Sequence, residues 1–212
     1  MAPRPPYLII GVQFFDNASE GAKALNYKNL LQPGRLSVID LSDSGMSELN
    51  NIVIADLLRG VQDAQDEIYQ SYERAKKDNG QAVVPNGALV IIEEAHEFMS
   101  EERVDKMRTL FEQVARIAKR GRKRRLGLVF VTQLPQHLPR QVFGLVNSYI
   151  LHKITDPNVV STLRRTVSGI DEGLWSKVSG LAPGQAIVSF PHMARALLVS
   201  VDPSPAELRL AD

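Results

Sequence analysis

Two apolar runs, ALVIIE (88–93) and LGLVFVT (126–132), constrain the fold more than any other feature of the chain. A helical pattern lies between them, and strand–helix–strand alternation of this length favours parallel strands joined by a crossover. LGLVFVT is apolar throughout, the pattern of a strand covered on both faces. Two more strands are expected upstream, YLIIGVQFF (7–15) and RLSVIDLS (35–42), the second introduced by the turn residues Pro33 and Gly34. Between the second and third strands, Leu49, Val53, Leu57, Val61, Ala64, Ile68 and Tyr72 recur at near-four-residue spacing, which predicts a long helix. It runs into KKDNGQ, where Gly80 is placed as a helix stop. A helix is expected from an N-cap at Ser100, with Glu101 and Glu102 at its positive end. Its apolar stripe would be Val104, Met107, Phe111, Val114 and Ala118.

SYILHKI (148–154) reads as a fifth strand, followed by two short helices over 157–167 and 172–178. QAIVSF (185–190) and ARALLVSV (194–201) read as a closing hairpin around Pro191, His192 and Met193. The fold class is therefore α/β, a largely parallel sheet flanked by helices with a C-terminal β-hairpin. One domain over 1–212 is the simplest organisation, with 1–6 as a lead-in and 203–212 as a loosely ordered tail. The 212 residues suit one domain.

Composition excludes several classes of function. A net charge of +1 gives no overall field for nucleic acid or membrane. The lack of cysteine removes disulfides, thiolate metal sites and cysteine nucleophiles, and agrees with a cytoplasmic protein. No apolar run approaches the ~20 residues of a membrane helix. MAPRPPYLII lacks the pattern of a signal peptide.

Two features carry chemistry. The first is Glu93-Glu94, where a strand runs into adjacent carboxylates. A strand end is a rigid place to hold acids, and one carboxylate can steer Mg²⁺ while the next polarises an attacking water. The plain alternative is a solvated acidic turn. The second is Arg116–Arg125, in which seven of ten residues are Lys or Arg and none is acidic. A cationic helix end opposing the dipole accounts for Lys119 and Arg120. It does not account for basic residues continuing through Gly121 into Arg122, Lys123, Arg124 and Arg125.

EEAHEF, followed by an apolar-striped helix and then RIAKRGRKRRLGLVFVTQLP, resembles the HerA branch of the HerA/FtsK ATPases, hexameric DNA translocases of the P-loop class. The resemblance runs from about Leu30 to Pro203 and includes LLQPGRLSVIDLS, YILHKITDPN and LAPGQAIV. It implies a RecA-like P-loop NTPase core that uses ATP and Mg²⁺. Glu93 would be the Mg²⁺-side acid, where the family usually has aspartate, and Glu94 the catalytic glutamate. His96 stands where the family's run has its histidine; as a lone histidine it reads as a packed or hydrogen-bonding residue. Arg122, with Arg120 second, would reach the γ-phosphate of a neighbouring subunit, a task suited to arginine's permanent charge and fixed fork of donors. Lys119, Lys123, Arg124 and Arg125 would contact DNA phosphates. Gln133 would sense the γ-phosphate, with Thr132 the weaker candidate. Lys153, Asp156 and Asn158 suit subunit contact or turn chemistry. Implied partners are identical subunits in a hexamer, double-stranded DNA and a NurA-type nuclease, with no membrane.

The other half of an ATP site is missing from the sequence. No glycine-rich loop ends in Gly-Lys-Ser or Gly-Lys-Thr, so residues 1–34 supply no ordinary phosphate cradle. The expectation is a chain that is the C-terminal part of a longer ATPase, or one that has lost the loop, and that does not hydrolyse ATP alone. Three rival readings remain: a secretion or conjugation motor, a degenerate ATPase serving as a scaffold, and a plain nucleic-acid-binding module.

Overall fold

The computed structural model describes residues 7–11, 25–41, 47–78, 80 and 82–204. The expected lead-in at 1–6, residues 12–15 of the expected first strand, and most of the expected tail lie outside them. The chain divides into two compact units, Met1–Gln133 and Leu134–Asp212.

In the first unit, β1 (Tyr7–Gly11) pairs in parallel with β2 (Leu36–Asp40), in a register running from Tyr7↔Leu36 to Gly11↔Asp40. The short helix α1 (Tyr27–Leu30) lies on the connection and packs on α2 (Ser47–Lys77). Gly60 makes that approach possible, because a methyl group there would meet the Tyr27 ring at 2.3 Å. The Tyr27 hydroxyl donates to Asp56 Oδ2 at 2.6 Å. Burial and this carboxylate neighbour push the phenol pKa up to about 12. Helix α2 stops as expected: the Gly80 amide donates to the Ala75 carbonyl at 3.0 Å, the six-to-one bond of a Schellman end.

Strand β3 (Ala88–Ile92) is followed by α3 (Ala95–Met99), α4 (Glu101–Lys106), α5 (Arg108–Arg124) and β4 (Leu126–Phe130). β3 and β4 pair in parallel, Ala88↔Leu126 through Ile92↔Phe130. The single helix expected after Ser100 is thus two. The chain breaks at Met107 (φ −130°, ψ 63°), which resets the helical phase. The buried line of α5 is consequently Leu110, Gln113, Val114, Ile117 and Gly121, while Ala118 is exposed. Ser100 is extended, as a cap should be, yet its side chain makes no capping bond.

α5 packs against the buried side of α2, formed by Asn51, Val53, Ile54, Leu58, Val61 and Ala64. Gln65 sits in this interface at 1 % exposure, with both amide hydrogens used. Its amide nitrogen donates to the Asn86 carbonyl at 2.9 Å and the Arg124 carbonyl at 2.8 Å. Those two bonds tie α2 to the segment entering β3 and to the end of α5, and they offset the cost of burying an amide.

One face of the β3–β4 pair departs from expectation. Leu89 and Ile91 remain 62 % and 59 % exposed, and Val129 and Val131 are exposed too. Period-two alternation puts Leu89 and Ile91 on one side, opposite buried Ile92. Strand β4 is therefore covered on one face, not both.

The second unit contains α6 (Arg140–Phe143), β5 (Tyr149–Leu151), α7 (Pro157–Thr166), α8 (Glu172–Trp175), β6 (Gln185–Ser189) and β7 (Leu197–Ser200). Its strands form one antiparallel sheet in the order β5–β6–β7, so the expected hairpin is present and the fifth strand joins it. The core gathers Leu151, Val159, Leu163, Trp175, Val178 and Ile187. Asp156 caps α7 by accepting from the Asn158 amide at 2.8 Å, with Pro157 at the first helical position. Capping thus explains Asp156, Pro157 and Asn158. The helix expected over 172–178 ends at Trp175 and is followed by a 3₁₀ turn at Val178–Gly180.

Candidate nucleotide site

The carboxyl ends of β3 and β4 build the site. Parallel pairing continues past the strands: the Val131 amide donates to the Ile92 carbonyl and the Ala95 amide to the Val131 carbonyl, each at 2.9 Å. Glu93 and Glu94 are held between these two bonds. The turn is closed by Glu94 in the left-handed region (φ 47°, ψ 45°), a conformation costing roughly 1–2 kcal/mol for a residue with a Cβ. Such strain persists where the surroundings over-determine it, and it concentrates at functional sites.

The kink separates the two acids. Glu93 is exposed. Glu94 instead engages the exit of β4. Its Oε1 accepts from Gln133 Nε2 at 3.0 Å. Its Oε2 is shut off from solvent without an aligned donor, although His96 Nδ1 stands 3.3 Å away. That same nitrogen is 3.0 Å from Thr132 Oγ1. Glu94 and Gln133 are therefore brought together, and Thr132 joins through His96.

The acid half of the site fits a magnesium nucleotide. Among the described residues there is no group of three or more His, Cys, Asp or Glu that could cage a metal. A magnesium ion keeps most of its water and needs only one or two carboxylates beside the phosphates, which Glu93 can meet. Glu94 is a carboxylate, the chemistry that taking a proton from water requires. The phosphate cradle finds no counterpart in any glycine-rich loop of the sequence.

The basic run divides by structure. Arg116, Lys119, Arg120 and Lys123 fall at i, i+3, i+4 and i+7 on α5, hence on one exposed face. Arg122 is exposed on another flank of the same helix. None of these five has a partner among the described residues. Arg124 is different: its Nε donates to Asp66 Oδ1 at 2.7 Å, and its guanidinium lies 4.7 Å from the centre of the Tyr69 ring. Arg125 caps α5 in the left-handed region (φ 55°) and reaches the Pro85 carbonyl at 3.3 Å. Lys119, Lys123, Arg120 and Arg122 are thus presented to solvent, while Arg124 and Arg125 are engaged in holding the fold.

No protein-family model matches the sequence. The sequence is similar to the DNA double-strand break repair helicase HerA of Sulfolobus acidocaldarius, 28 % identical over 185 residues, which are 87 % of this chain and 35 % of that protein. It is 25 % identical to the HerA helicase of Pyrococcus furiosus over 194 residues, 83 % of this chain and 34 % of that one. The fold resembles the genome packaging NTPase B204 from Sulfolobus turreted icosahedral virus 2, in complex with AMPPCP. That match has a TM-score of 0.56 at 17 % identity and covers 93 % of this chain and 83 % of that one. VirB4 of Thermoanaerobacter pseudethanolicus gives a TM-score of 0.53 at 11 % identity, over 82 % of this chain and 43 % of that one. The chain is HerA-like, with the fold of P-loop ATPases. It spans about a third of the length of the HerA relatives it matches. No described helix is long and apolar enough to cross a membrane.

In this HerA-like frame, sequence reasoning pointed to Glu94 and Gln133 but not to the link between His96 and Thr132. The available signal was position: His96 follows Glu94 by two residues and Thr132 precedes Gln133 by one. No local pattern marks Asp66 and Tyr69 as partners of Arg124, although both lie on the helix that α5 packs against.

Proposed function

We propose that residues 1–212 form a partial RecA-like ATPase domain of a HerA-type motor that moves duplex DNA at the expense of ATP. The meeting of Glu94 with Gln133 at the ends of two paired parallel strands carries this reading. In it Glu93 holds the hydrated Mg²⁺, Glu94 accepts a proton from the attacking water, and Gln133 orients Glu94 and answers to the γ-phosphate. Bound Mg-ATP supplies the transferable phosphoryl group and the metal's charge. Arg122, with Arg120 second, acts on the nucleotide of the next subunit in a hexamer. Lys119 and Lys123 contact DNA phosphates, with lesser contributions from Arg124 and Arg125. A NurA-type nuclease is a fitting partner for end processing. The phosphate cradle must come from outside any loop of this sequence, so the chain alone is expected not to turn over ATP.

Two measurements test the reading. Calorimetric titration with Mg-ATP should show no binding by the chain alone; clear binding would mean that an unrecognised loop within it completes the site. Duplex DNA should bind in a salt-dependent manner that is lost on neutralising Lys119 and Lys123. Salt-insensitive binding, or none, would favour a secretion-type motor or a scaffold.

A further inference from the structure

We propose that His96 is a positioning residue for Glu94, acting with Thr132 to fix the direction of the carboxylate. This rests on the reading of Glu94 as the acid that activates water. Glu94 Oε2 is excluded from solvent and lacks an aligned donor, an arrangement that is costly for a carboxylate oxygen. The polar group beside it is His96 Nδ1, at 3.3 Å. The imidazole is largely buried, with 14 % of its side chain exposed, so the ring has little freedom to turn away.

The tautomer follows from the charges. If Nδ1 carried a lone pair, it would accept from the Thr132 hydroxyl and leave that negative density 3.3 Å from Glu94 Oε2, with no positive charge beside the carboxylate. With the proton on Nδ1, the ring donates toward Thr132 Oγ1 at 3.0 Å and presents the same proton's positive field to Oε2. Glu94 therefore selects the Nδ1–H form, and Thr132 holds the ring in plane to offer it. Gln133, the next residue, secures the other oxygen at 3.0 Å. The two carboxylate oxygens thus answer to adjacent residues at the exit of β4: Oε1 bonds directly to Gln133, and Oε2 lies in the field of the His96 proton that Thr132 accepts. A shift of that exit would turn the carboxylate as a unit.

The test begins with the chain as it stands. It has four histidines, so imidazole nitrogen resonances can be assigned by comparison with His96→Asn. The expected spectrum has a protonated Nδ1 on His96, reverting toward Nε2–H in Glu94→Ala and weakened in Thr132→Val. An unprotonated Nδ1 in the wild type, or a tautomer indifferent to Glu94→Ala, overturns the proposal. Turnover in the complete ATP-hydrolysing assembly gives the second readout. There, His96→Ala should lower kcat by about 10–100-fold, the range for losing a supporting residue, with KM little changed. His96→Asn should restore most of it, since its amide nitrogen can stand near the place of Nδ1. Full kcat in His96→Ala, beside an inactive Glu94→Gln, sinks the positioning role alone. An active Glu94→Gln sinks the reading of Glu94 itself.

Discussion

Gln133 and Glu94, 39 residues apart in sequence, meet side chain to side chain at 3.0 Å across the carboxyl ends of β4 and β3. Replacing Gln133 by leucine removes the donor and leaves the acid. ATP turnover by the complete assembly is expected to fall by roughly 10²–10³, the range for losing one preorganised donor. The pair is exposed, so stability should change by only about 0.5 kcal/mol or less. Phosphate release measured beside a melting curve checks this, and an equal loss in both would reduce Gln133 to a structural residue.

Neighbouring cations on α5 should behave oppositely. Arg124→Ala breaks a partly buried ion pair with Asp66 and a contact over Tyr69, and should cost about 1–2 kcal/mol in denaturant unfolding. Lys119→Ala and Lys123→Ala relieve like-charge repulsion at i,i+4 and should leave stability unchanged or slightly higher. Each should instead reduce the salt slope of duplex binding by about 1. Equal effects of all three on folding would refute this division of labour.

Gly121 lets α5 lie against the start of β4. A methyl group there would stand 2.2 Å from the Leu126 carbonyl oxygen, a backbone atom that cannot swing aside. Gly121→Ala is expected to destabilise by about 1–3 kcal/mol through overpacking, despite alanine's better helix propensity. A variant as stable as the parent in urea would show that the helix can lift without penalty.

Tyr27 predicts an alkaline limit. Its phenol pKa is about 12 in the folded chain against the ordinary 10.0 of a solvated phenol, so the unfolded chain loses this proton first. The contribution is complete below pH 10, declines between pH 10 and 12, and is gone above. Tyr27→Phe should flatten the fall of melting temperature across that window. An unchanged alkaline profile would place the proton loss elsewhere.

What the sequence made legible was local. Strands β3 and β4, helix α2 and its stop at Gly80 all announce themselves in periodicity and turn residues within one element. The break at Met107 does not, because RVDKMRTL contains neither glycine nor proline, and an unbroken stripe runs through it. The pairing of Tyr149 with Ser189 joins segments distant in the chain, which no local pattern encodes. The sequence shows Glu94 as an acid but not as a left-handed residue, a conformation that glycine advertises and glutamate does not. Arg124 follows Lys123 in one basic run, yet its helical phase, three residues after buried Gly121, brings it to the α2 side.

Leu89 and Ile91, left in water by the folded chain, also bear on how the protein melts. The heat capacity increase on unfolding comes from newly wetted apolar surface, and side chains already wet contribute little to it. The stability curve of this chain should therefore be slightly flatter than its length suggests, by roughly a few per cent in heat capacity for these two side chains. A ligand or polypeptide that seats on that face would sharpen the curve as well as raise it.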